Sequence, residues 1–143
     1  SHLKEILDKV KRPCIRYTEA TEENVTQADC LIIDCYGLLS SIYRYGEISY
    51  IGGGFGVGIH NVLEAAVYGI PVIFGPNNKK FREAQHLLEQ KGGFEVTGYD
   101  DFKRLMDKFL SDEAYLQQAG KAAGNYVNHN AGALEKIMKD ITL

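Results

Sequence analysis

The chain has 143 residues, 45% hydrophobic and 24% charged, with a formal net charge of −3. That is the size and composition of one ordinary soluble globular domain. No basic run points to nucleic acid, no apolar stretch is long enough to span a bilayer, and no signal peptide is visible.

Leu3, Ile6, Leu7 and Val10 recur at helical spacing, and Pro13 stops that helix. Residues 14–17 read as a short strand. Residues 21–26 are polar and fit a turn or a short helix. Leu31, Ile32 and Ile33 form a buried-strand run that ends at Asp34. A short helix is predicted over 38–45 and a strand over 48–51. A glycine-rich loop follows over 52–58, then a helix over 59–68 that Gly69 ends, then a strand over 71–74. Residues 80–90 are amphipathic, and 94–96 read as a strand. From Tyr99 onward three helices are predicted, over 99–110, 112–127 and 131–141, with Asp100 and Ser111 as N-caps. Strands alternating with helices predict an α/β fold, a parallel sheet covered by helices on both faces. The whole chain reads as one domain.

Cys14, Cys30 and Cys35 show no CxxC spacing and stand in apolar surroundings. They predict reduced thiols in a cytoplasmic protein, with no metal role. The chain begins at Ser1 rather than Met, already inside a helix. A doubly wound domain usually opens on a strand, so the expectation is a piece of a longer protein. Ser1 and His2 are either native or added residues.

The chemistry concentrates in residues 50–76. Five of the seven residues from Gly52 to Gly58 are glycine. Such a loop brings bare backbone N–H groups against an anion at a helix start. Walker A needs Gly-Lys-Ser/Thr, and Gly58-Ile59-His60 excludes it. G-x-G-x-x-G/A fails in both registers, since Val57 and Ile59 stand where the last small residue belongs. NAD is disfavoured, and another kind of nucleotide or phosphate cradle remains. His60, Asn61 and Glu64 are expected on the first turns of the helix, His60 and Glu64 on one face. Glu64 is either a ribose ligand or an acid favoured by the helix dipole. Asn61 either caps the helix or meets the ligand. His60 alone is more ordinary as a satisfied helix residue. Asp34 and Gly37 read as structural, and His2, His86 and His129 as surface residues. Loops after three strands, at 34–37, 52–58 and 75–80, share one crevice if their strands are neighbours.

Gly52-Gly53-Gly54-Phe55, His60-Asn61, Leu63-Glu64, Gly69-Ile70-Pro71-Val72 and Phe74-Gly75-Pro76 together resemble the 3-deoxy-D-manno-octulosonic acid (Kdo) transferases. Gly37-Leu38-Leu39, Tyr43-Arg44-Tyr45, Phe81-Arg82-Glu83-Ala84 and Asn130-Ala131-Gly132-Ala133 add to the resemblance, whose wording is closest to Bacteroidetes members. The resemblance implies the C-terminal, Rossmann-like half of a GT-B glycosyltransferase, which binds the donor CMP-Kdo. The absent N-terminal half would bind the lipid A precursor, carry the catalytic carboxylate base and account for membrane attachment at the cytoplasmic face of the inner membrane. The family transfers Kdo with inversion and without a metal, so this chain alone is expected to bind but not to catalyse. Gly52, Gly53, Gly54, His60 and Asn61 would then face phosphate and sugar acid and Glu64 the ribose, with Phe55 also among the donor-binding residues. Gly37 and Lys80 are secondary candidates. Many relatives carry Ser at the position of Gly54 and Asn at that of Lys80. The rival readings are a GT-B domain for a UDP-sugar, as transferase or epimerase, and a non-catalytic α/β module that binds a nucleotide or a protein partner.

Overall fold

A computed structural model of the chain describes residues 2–141, save for the side chains of residues 2, 3, 7, 133–135, 140 and 141. The reading of Ser1 lies outside the described residues. The chain divides into two compact units, Ser1–Ile42 and Tyr43–Leu143.

In the first unit, helix α1 (His2–Lys9) follows the predicted apolar spacing and stops short of Pro13. Strands β1 (Cys14–Arg16) and β2 (Cys30–Ile32) pair in parallel, with Cys14 opposite Cys30. The Pro13 carbonyl leads into the pair by accepting the amides of Asp29 at 2.8 Å and Cys30 at 3.1 Å. All three cysteines belong to this unit, half-buried and unbridged. Asp34 ties the ends of both strands together. Its carboxylate accepts the Thr18 hydroxyl at 2.6 Å, the Thr18 amide at 3.0 Å and Arg16 Nε at 2.8 Å. Its side chain is only 6% exposed. With the Thr18 hydroxyl as the first cause, its pKa is lowered to about 2. The structural reading of Asp34 therefore holds. Helix α2 (Leu39–Ile42) closes the unit.

The second unit holds a three-stranded parallel sheet in the order β3 (Ser49–Ile51), β4 (Val72–Phe74), β5 (Gly93–Glu95). All three residues of β4 are fully buried, because the pleat sends them into two different cores. Val72 and Phe74 pack with Ala65, Ala84, Leu87, Ala123 and Tyr126. Ile73 packs on the other face with Val96, Phe109 and Ala119. The first core is covered by α3 (Leu63–Ala66), α4 (Arg82–Glu89) and the long α6 (Glu113–Ile141). The second is closed by α5 (Tyr99–Ser111) and the start of α6. Each large apolar side chain so buried contributes about 1.5–3 kcal/mol. Helices on both faces of a parallel sheet are the α/β, Rossmann-like arrangement predicted. Helix α6 crosses very close to the backbone, since a Cβ at Gly120 would meet the Gly69 carbonyl oxygen at 2.3 Å.

Several local expectations are corrected. The helix predicted over 59–68 is only the single turn Leu63–Ala66. Residues before it fold back instead, the His60 amide donating to the Gly52 carbonyl at 3.0 Å. The last two predicted helices are one, with no break at Asn128-His129-Asn130. Low intrinsic propensity costs about 0.5 kcal/mol per residue there, and no proline enforces a stop. The caps shift too. Asp101 rather than Asp100 holds the amides of Thr97 and Gly98 at the start of α5, and Asp112 rather than Ser111 accepts the Tyr115 amide in α6. His86 is no free surface residue, as its Nδ1 lies 2.9 Å from the Tyr126 hydroxyl in a half-buried pair.

Candidate functional site: the glycine loop and its supports

Three parallel neighbours bring the loops after β3, β4 and β5 to one sheet edge, where ligands of open α/β sheets lie. The 52–58 and 75–80 loops are joined there. The 34–37 loop follows β2, which belongs to the separate two-stranded sheet. Gly37, with φ of +90°, forms a turn in that first unit.

The glycine loop closes on itself. The Gly53 carbonyl accepts the amides of Gly56 and Gly58, each at 3.1 Å. Gly53 has φ of +93°, and a Cβ there would lie 2.1 Å from the Gly58 carbonyl oxygen. Only glycine fits such a contact in such a conformation. Gly54 is buried against the backbone of Gly75, with no room for a side chain on either residue. Much of the glycine content is thus demanded by backbone packing. What the fold leaves over is informative. Among the described residues, the consecutive amides of Gly53, Gly54 and Phe55 donate to nothing. Successive unspent N–H groups make an anion-binding concavity.

His60 and Asn61 stand in the loop before α3 rather than on the helix, and both are exposed. The His60 ring lies over Gly52, in ordinary contact with where a Cβ would be at 3.7 Å. The Asn61 side-chain oxygen accepts the Leu63 amide at 2.8 Å from one residue ahead of the helix's N-cap, Val62, which itself makes no side-chain cap bond. Both residues line a cleft of about 330 Å3 with Ile59, Phe81 and Glu83. Glu64 is on the first turn of α3, half-buried. Among the described residues its carboxylate accepts no hydrogen bond. Tyr43 lies near it, and burial first, then the Glu64 charge, raises the Tyr43 pKa. Phe55 is 60% exposed and walls an apolar cleft of about 290 Å3 with Tyr50, Tyr99 and Phe102. Lys80 is exposed and, among the described residues, makes no ion pair. No three His, Cys, Asp or Glu side chains converge as a metal group among the described residues.

Two site residues escaped the sequence reading, Asn77 and Asn78. Asn77 donates its amide to the Gly54 carbonyl at 2.8 Å and its side-chain NH2 to the Gly56 carbonyl. Asn78 is fully buried. It donates to the Gly75 carbonyl at 2.9 Å and to Glu95 at 2.8 Å, and accepts from Gln85. Lys79 also binds Glu95 at 2.9 Å, and Lys79 with Asn78 holds the Glu95 pKa below the usual carboxylate range. Only their place directly after Phe74-Gly75-Pro76 hinted at a role.

The fold is that of a Rossmann-like α/β domain, with a glycine loop of unspent amides at the carboxyl edge of its parallel sheet. The C-terminal CMP-Kdo binding domain of WaaA from Acinetobacter baumannii has the same fold. Its crystal structure matches with a TM-score of 0.76 over 88% of this chain and 66% of that one, at 17% identity. By sequence the chain is a relative of the 3-deoxy-D-manno-octulosonic acid transferases, as its motifs predict. It is 37% identical to the one from Aquifex aeolicus over 87 residues, 59% of this chain and 25% of that protein. It is 28% identical to the Rickettsia felis enzyme over 149 residues, 98% of this chain and 31% of that protein. The chain thus spans about a quarter to a third of the length of these curated relatives. No protein-family model matches it.

Proposed function

We propose that this chain is the donor-binding domain of a glycosyltransferase that moves Kdo from CMP-Kdo to a lipid A precursor in lipopolysaccharide biosynthesis. The observation that carries the reading is the row of unspent amides at Gly53, Gly54 and Phe55, within one loop of His60 and Asn61 and followed by Glu64. Those amides receive the phosphate of the donor. The Glu64 carboxylate, with its acceptor positions unspent, takes hydrogen bonds from the ribose diol. Preorganised donors at the phosphate stabilise the charge that grows as the glycosidic bond breaks and CMP leaves. The acceptor hydroxyl needs a general base, which this reading places in a preceding domain together with the lipid site. Neither a metal nor a further cofactor takes part. No helix among the described residues is long and apolar enough to cross a membrane, and the reading places the parent enzyme at the cytoplasmic face of the inner membrane through that preceding domain.

Calorimetry with CMP, UDP and NAD tests the proposal. Binding of CMP in preference to the other two is expected. Binding of UDP without CMP would reassign the chain to a UDP-sugar enzyme, and no nucleotide binding at all would leave a non-catalytic module.

A further inference from the structure

The loop after β4 forms a relay from the sheet to the glycine loop. At its base is Asn78, fully buried and bonded to Gly75, Gln85 and Glu95. A polar side chain satisfied on all sides in a packed interior fixes the backbone that carries it. The next residue toward the edge, Asn77, is exposed, yet its backbone amide and its carboxamide NH2 each donate to the glycine loop. Its amide takes the Gly54 carbonyl and its carboxamide takes the Gly56 carbonyl. These two carbonyls belong to the arc whose amides at Gly53, Gly54 and Phe55 are left bare. In a planar trans peptide the Gly54 carbonyl and the Phe55 N–H point opposite ways, so binding that carbonyl from Asn77 aims the Phe55 amide away from Asn77. Without a second grip, glycine-rich backbone samples many conformations, and an anion site made of amides loses its geometry.

We infer that Asn77 is a positioning residue of this site. It holds the glycine loop in the arc that offers three amides, and so acts on the ligand's phosphate without touching it. The inference deepens the donor-binding reading and rests on it for the identity of the ligand. The side chain is the part that mutation can reach, since Asn77→Ala keeps the amide bond to Gly54 and loses the bond to Gly56.

The test compares the native chain with Asn77→Ala in two measurements. The first is amide hydrogen exchange at Gly56 and Gly58, whose amides are bonded within the loop, and across β4. Exchange in the loop should speed up about tenfold, with β4 unchanged. The second is calorimetry with CMP and with cytidine. CMP affinity should fall about tenfold and cytidine affinity should stay within twofold, because only CMP carries the group the loop receives. Unchanged loop exchange would overturn the inference, as would equal losses for CMP and cytidine. If the native chain binds no CMP, the donor reading fails, and the exchange experiment still decides whether Asn77 orders the loop.

Discussion

The backbones of Gly54 and Gly75 touch. A Cβ on Gly54 would lie 2.4 Å from the Gly75 nitrogen, and one on Gly75 would lie 2.7 Å from the Gly54 carbonyl carbon. Two loops from neighbouring strands therefore share one surface, with no side chain between them to yield. Gly75→Ala should destabilise the chain by about 1–3 kcal/mol, the usual cost of overpacking, and should weaken CMP binding as well. Urea denaturation followed by circular dichroism checks the first effect and calorimetry the second. A Gly75→Ala chain of native stability would show that the loops separate freely.

Glu64 offers a test of the ribose contact. Glu64→Ala should weaken CMP by about 1.5–3 kcal/mol, the range for hydrogen bonds to a charged group, and leave the fold intact. The native chain should favour CMP over 2′-deoxy-CMP, and the variant should bind both alike. Retained discrimination in the variant would remove Glu64 from the site.

How much of this was legible in advance differs from residue to residue. The strand over 71–74 was legible from its apolar run, but not its burial, which comes from its central place in the sheet; the like run Leu31-Ile32-Ile33, read as buried, leaves Leu31 41% exposed. Glu64 was found at a helix start as expected. The helical reading of His60 and Asn61 failed because Gly58, with φ of +146°, and the fold-back of His60 onto Gly52 override a helical pattern. The Asn61 side chain then binds the Leu63 amide two residues on, a local competition that periodicity does not register. Asn77 and Asn78 were invisible for a different reason. The contacts of Asn77 with Gly56 and of Asn78 with Glu95 span 21 and 17 residues of sequence, and no spacing rule links them.

Asp34 gives the first unit a pH dependence of known sign. Its folded pKa is lowered to about 2 from 3.8, so it contributes stability above about pH 4 that is lost as the pH falls toward 2. Asp34→Asn should lower the thermal midpoint of that unit at pH 7. The gap between variant and native chain should close progressively below pH 4. A constant gap across that window would show that the carboxylate's charge is immaterial.

The His86–Tyr126 pair joins α4 to α6 across the first core. Tyr126→Phe removes one hydrogen bond and keeps the ring, so a loss of about 1 kcal/mol in urea denaturation is expected. CMP affinity should stay unchanged, because neither residue lines the clefts that Phe55 or His60 and Asn61 wall. A loss of binding in this variant would extend the functional site to the helical side of the sheet.

The placement of the sulfur atoms has a practical consequence. Cys14, Cys30 and Cys35 are all in Ser1–Ile42, and Tyr43–Leu143 has none. Thiol-reactive probes therefore report on one unit of the chain while circular dichroism reports on both. Labelling rates measured through a denaturant titration would show whether the β1–β2 pair melts with the larger sheet or ahead of it. In the second case a single unfolding free energy no longer describes the molecule.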